Sequence, residues 1–78
     1  MGERFLRLPE VAEILDVTES QVYAMVRSGE LRSLKIGAKG HWRVEREALE
    51  DYIAEAYRQT ADFVKANPLV ARDEVAAD

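Results

Sequence analysis

Cysteine is absent from the 78-residue chain. That excludes disulfides, thiolate metal sites and cysteine nucleophiles together, and it suits a reducing cytoplasm. Histidine occurs once and no Gly-Lys-Ser or Gly-Lys-Thr loop is present, so neither a histidine metal cluster nor a nucleotide cradle is expected. No apolar run approaches the roughly 20 residues needed to cross a bilayer. Residues 1–8, MGERFLRL, are charged and lack an apolar stretch, so no signal peptide is expected. Internal repeats are lacking as well. The many carboxylates fall mostly on predicted helix surfaces, where solvation accounts for them, and they assemble no catalytic constellation. The expectation is a protein without enzymatic activity, cofactor or metal, located in the cytoplasm and not on a membrane.

What is present fits one small domain. A chain this short hides only about 60% of its unfolded surface, which leaves a modest core. Hydrophobic residues make up 47% of the sequence, too many for wholesale disorder. The net charge is −4, but it is unevenly spread. Residues 1–26 carry −3, residues 27–46 carry +4 and residues 47–78 carry −5. A surface patch follows local charge, so the central block can attract polyanions although the whole chain is acidic.

Leu8, Val11, Ala12 and Leu15 recur at helical spacing, and Pro9 suits a first turn, where its missing N–H costs nothing. They predict a short helix over residues 9–15 and a turn at Asp16-Val17. Thr18 opens a second helix: T-E-S-Q matches a capping box, Val22, Met25 and Val26 supply a buried stripe, and Gly29 ends it. Leu34-Lys35-Ile36 and Trp42-Arg43-Val44 alternate apolar with basic residues around a hairpin loop, Gly37-Ala38-Lys39-Gly40. Period two is expected to send Leu34, Ile36, Trp42 and Val44 to one face and Lys35, His41 and Arg43 to the other. The loop has the G-x-x-G spacing of an RNA-gripping KH loop, but that loop joins two helices and this one joins two strands. Residues 45–67 read as a long third helix with the stripe Leu49, Tyr52, Ile53, Ala56, Thr60, Phe63 and Val64, stopped by Pro68. The domain is thus expected over residues 1–67, with residues 68–78 as an acidic, disordered tail.

Helix, tight turn, helix is the helix-turn-helix order. Small Ala12 lets the second helix cross the first closely, and Val17 plugs the corner. The run LRLPEVAEILDVTESQVYAMVRSGELRSLKIGAKGHWRVEREALEDYI, residues 6–53, resembles the excisionase-like branch of the MerR superfamily. Its markers are E-V-A-E-I-L-D-V-T, then V-Y, R-S-G-E-L, K-I-G, and W-R-V with E-A-L-E-D-Y. The resemblance implies a mainly α fold with a small β-hairpin: a winged helix-turn-helix with a two-stranded wing and a long C-terminal helix. It also implies sequence-specific binding of double-stranded DNA by a bacterial or phage protein associated with the nucleoid. The role would be that of a transcription regulator or an excisionase-type recombination directionality factor. The second helix would enter a major groove, and the wing, residues 35–44, would lie along a minor groove or the phosphates.

The candidate DNA contacts are Thr18, Ser20, Gln21, Tyr23, Ala24, Arg27, Lys35, Lys39, His41, Arg43 and Arg46. Thr18 is first an N-cap, at a helix terminus that also favours anions. Ser20, Gln21 and Ala24 lie on the outward side of the second helix. Tyr23 either packs its ring or offers its hydroxyl to a phosphate. Arg27 suits the macrodipole at the helix end as well as a phosphate. Lys35, Lys39 and Arg43 are the wing phosphate contacts, and His41 is a polar contact beside them. Arg46 serves either DNA or a salt bridge to Glu50 four residues on. Two positions depart from the family pattern. Arg7 stands where a serine or threonine caps the first helix, which costs about 1 kcal/mol or frees Arg7 for a phosphate. Glu19 stands where basic residues are common, and it repels phosphates or accepts from a cytosine N4 amine. A rival reading keeps the fold as a protein-interaction adaptor with little DNA binding. Residues 57–64 of the third helix are expected to pair with a second copy, to fold back on the first helix, or to fray.

Overall fold

Arg7 opens the first helix in an extended conformation (φ −87°, ψ 160°), one residue earlier than the periodicity predicts. The computed structural model of the protein describes residues 3–68, so the expected acidic tail, apart from Pro68, lies outside the described residues. The elements are β1 (Phe5–Leu6), α1 (Leu8–Leu15), α2 (Glu19–Ser28), β2 (Leu34–Ile36), β3 (His41–Glu45) and α3 (Arg46–Ala66). At the start of α1, Glu10 Oε1 accepts the Arg7 N–H at 2.8 Å. The arginine side chain has no acceptor to return the favour, so the helix starts on half a cap. At its end Asp16 is left-handed (φ 58°, ψ 47°), a conformation that short polar side chains tolerate. The Val17 N–H donates to the Ala12 carbonyl at 3.0 Å and the Asp16 N–H to that of Glu13 at 3.2 Å. This is a Schellman motif, and it turns Val17 inward against the core.

Thr18 then caps α2 from both sides, as T-E-S-Q predicts. Its hydroxyl oxygen accepts the Gln21 N–H at 3.1 Å, and Gln21 Oε1 accepts the Thr18 N–H at 3.0 Å. Gly29 ends the helix at φ 86°. Val11 and Ala12 of α1 meet Val22 and Val26 of α2 in a core completed by Leu6, Leu31, Val44 and Leu49. Burying a side chain such as Leu31 or Val44 contributes about 1.5–3 kcal/mol.

The sheet differs from the sequence reading in two ways. It has three antiparallel strands in the order β1-β3-β2, because Phe5 and Leu6 pair with Glu45 and Val44. A two-residue strand shows no alternation to detect. Arg46 secures it: its backbone N–H donates to the Arg4 carbonyl at 2.7 Å and its Nε to the Glu3 carbonyl at 2.9 Å. Second, the expected faces of the hairpin are wrong for β2. The partners are Leu34 with Arg43, Lys35 with Trp42, and Ile36 with His41. Cross-strand partners share a face, so Lys35 joins Trp42 and Val44, while Leu34 and Ile36 join Arg43 and His41. The cause is the four-residue loop 37–40, which pairs even-numbered residues with odd-numbered ones. Leu34 and Ile36 consequently remain 38% and 43% exposed.

α3 packs on the core through Ala48 and Leu49, with Tyr52 and Ile53 half-buried beside them. From Tyr57 onward every residue of the helix is exposed, so this half does not fold back on α1. The Asn67 amide donates to the Phe63 carbonyl at 2.9 Å, and Pro68 follows. Three helices and a small antiparallel sheet form a mostly α winged helix-turn-helix, with β2 and β3 as its wing.

Candidate nucleic-acid interface

Because Val22 and Val26 point inward, helical periodicity leaves Ser20, Ala24 and Arg27 outermost on α2, flanked by Tyr23 and Gln21. All five are exposed, as is Thr18 at the N-terminus. Tyr23 is not a core residue: it is 45% exposed, and its hydroxyl accepts from Arg27 Nη1 at 3.1 Å. The Arg27 guanidinium carbon also lies 5.8 Å from the Tyr23 ring centroid. An exposed cation–π contact of this kind is worth about 0.5–1 kcal/mol, enough to bias the orientation of Arg27.

The wing presents its polar groups on two faces and a tip. Lys39 is exposed at the tip, between Gly37 (φ 84°) and Gly40 (φ 70°). Lys35 crosses the hairpin, its Nζ 5.5 Å from the Trp42 ring centroid. A Cβ on Gly40 would stand 2.6 Å from Lys35 Cε, so glycine leaves the space in which that side chain lies. On the other face Arg43 is half-buried and its Nη1 donates to the Trp42 carbonyl at 2.7 Å. His41 is exposed on the same face as Arg43.

A groove of about 510 Å³ separates the wing from the N-termini of α1 and α2. Its walls are Arg7, Leu8, Pro9 and Glu19 on one side and Gly40, His41, Trp42 and Arg43 on the other. A hollow of about 340 Å³, lined by Leu8, Glu19, Ser20 and Tyr23, continues it along α2. Glu19 therefore stands where the two meet. Arg7, for which the sequence offers a costly cap or a free phosphate donor, lines this groove. Arg46, expected to serve DNA or a salt bridge to Glu50, is held beside β1 by the Glu3 backbone carbonyl and makes no ion pair with Glu50.

The charges around this surface differ from those elsewhere. Arg7, Arg27, Lys35, Lys39 and Arg43 form no ion pair with any carboxylate among the described residues. Away from it, Arg4 is bound to Glu45 at 2.8 Å, Arg32 faces Asp51 at 3.7 Å and Arg58 is paired with Glu55, while Arg46 and Lys65 also lack a carboxylate partner among the described residues. The arrangement leaves donors and positive charge outward beside an exposed helix, which is suited to an extended anion. Among the described residues no helix is long and apolar enough to cross a membrane.

A family model described as a helix-turn-helix domain matches residues 5–57, more than half of the chain. That span runs from β1 through both helices of the motif and the wing to the point where α3 leaves the core. No curated protein and no solved structure matches the chain. With its tight turn at Asp16 and Val17, its exposed second helix and that match, the chain belongs to the helix-turn-helix domain family.

Proposed function

We propose that the protein binds double-stranded DNA in a sequence-specific manner, without enzymatic activity, on nucleoid DNA of the cytoplasm. It acts as a transcription regulator or an excisionase-type recombination directionality factor of a bacterium or phage. The observation that carries this reading is the set of cations without carboxylate partners, Arg27, Lys35, Lys39 and Arg43, on and beside an exposed α2 in an acidic chain. A major groove about 12 Å wide admits a helix. Ser20, Gln21 and Ala24 then meet base edges, with Gln21 using the amide nitrogen that its cap leaves over. Phosphate contacts from Arg27 and the wing fix the register. The experiment is selection of bound duplexes from a random pool. A defined preferred site is expected, and Ser20→Ala should change that preference more than the affinity. A protein that retains no duplex would overturn the reading and leave the adaptor alternative. A genome-wide pull-down separates the two roles: one site beside an integrase gene means excision, and many promoters mean regulation.

We infer that assembly on DNA runs through α3. Tyr57, Phe63 and Val64 are 76%, 55% and 56% exposed, and they continue the stripe that Leu49 and Ile53 begin in the core. Helical spacing puts Glu55, Arg58, Asp62 and Lys65 on the opposite side. The stripe is thus uncharged and apolar, and it pairs with a second copy, which adds avidity to a weakly binding domain.

A further inference from the structure

Arg7 has a place in the fold that its own chemistry does not serve. At an N-cap, Ser, Thr, Asp or Asn accepts a first-turn N–H, and a guanidinium has only donors. The one cap bond present comes from Glu10, which meets the Arg7 backbone and leaves its side chain alone. That side chain is exposed and forms no hydrogen bond or ion pair among the described residues. It lines the 510 Å³ groove together with His41 and Arg43, and a further hollow of about 410 Å³ together with Arg43, Glu3 and Glu10, so the anion seat lies in the first of the two. Arg43 is anchored by the Trp42 carbonyl, while Arg7 is untethered. One fixed and one movable guanidinium beside the same groove can each donate to the oxygens of one of two successive phosphodiesters. Glu19, on the α2 wall, keeps an anion toward the side of the two arginines.

We infer that Arg7 and Arg43 seat two neighbouring phosphodiesters of the DNA backbone, one each, in the groove between α1 and the wing. Arg7 is then a DNA contact held at the expense of a helix cap. The inference rests on the DNA-binding reading, and the test separates the two. Arg7→Ser removes the guanidinium and completes an S-x-x-E capping box with Glu10. Binding is read by fluorescence anisotropy across a salt series, on the selected duplex and on a random one. The slope of log affinity against log salt should become shallower by about 0.9 on both duplexes, roughly eightfold in affinity at 0.1 M relative to 1 M. Tm should hold or rise, and Arg7→Lys should keep the slope. If Arg7→Ser keeps the original slope while Lys39→Ala makes it shallower, the seat is wrong and DNA binding stands. A shallower slope accompanied by a lower Tm and not restored by Arg7→Lys also overturns the seat, because Arg7 then acts through the fold. If the unaltered protein retains neither duplex, both readings fall.

Discussion

Salt is the sharpest probe of the interface, because the structure separates paired from unpaired cations residue by residue. Arg27, Lys35, Lys39 and Arg43 have no carboxylate partner among the described residues. If each neutralises one phosphate, the slope of log affinity against log salt is about −3.6, and going from 50 to 200 mM salt weakens binding roughly 150-fold. Counting Arg7 as well gives about −4.5 and roughly 500-fold. Lys39→Ala at the exposed tip should make the slope shallower by about 0.9 and leave Tm unchanged. Arg43→Ala should do the same to the slope but lower Tm, because that guanidinium is half-buried on the Trp42 carbonyl. Arg58→Ala should change neither, since Arg58 is held by Glu55 on α3. Anisotropy titrations of single variants at four salt concentrations suffice. The reasoning is refuted if the unaltered protein has a slope shallower than about −1. It is equally refuted if Arg58→Ala matches Lys39→Ala, since net charge would then govern binding and the arrangement of the cations would not.

Leu31→Ala, at a fully buried position, should cost about 2–5 kcal/mol in urea unfolding, and a cost below about 1 would mean that the site collapses freely. Thr18→Ala should cost about 1 kcal/mol through the lost capping bonds, and unchanged stability would show the cap to be idle. Phe63→Glu should leave the fold intact, give a monomer, and weaken binding to paired sites more than to one; ultracentrifugation finding the unaltered protein monomeric both free and on DNA defeats the pairing. Burial, and then the hydrogen bond and charge of Glu30, raise the Tyr52 hydroxyl above its ordinary pKa of 10.0. The folded state therefore keeps that proton longer than the unfolded one, and its stabilisation, complete below the unfolded pKa, is lost as pH rises through the folded one. Tyr52→Phe should flatten the alkaline fall in stability, and coincident alkaline profiles would exclude this role.

Features set by local chemistry were legible in the sequence. T-E-S-Q and Gly29 mark α2 because caps depend on residues within one turn. Pro68 and the long stripe locate α3 for the same reason. What escaped depends on partners distant in the chain. β1 exists only because β3 is beside it, and Leu31, fully buried, stands in a connecting turn where no period applies. The hairpin faces failed because alternation within each strand is visible, whereas the register between strands is set by the loop. In the candidate site the outward residues of α2 follow from its buried stripe, but the proximity of Arg7 to Arg43 requires α1 and the wing to be brought together first.

The four-residue wing loop also limits how this domain can change length. Adding or deleting two residues between Gly37 and Gly40 keeps Lys35 opposite Trp42 and Arg43 opposite Leu34. A change of one residue shifts the pairing by one and turns one strand over. Trp42 and Val44 are fixed by the core, so β2 is the strand that must invert. Lys35 would swing to the face of His41 and Arg43, and Leu34 and Ile36 would turn to the face of Trp42. A single-residue insertion at the tip is therefore a charge-relocating mutation made without altering any charged residue, unless a bulge absorbs it. Graded wing lengths, odd and even, offer a way to move one cation across the wing while composition stays nearly constant.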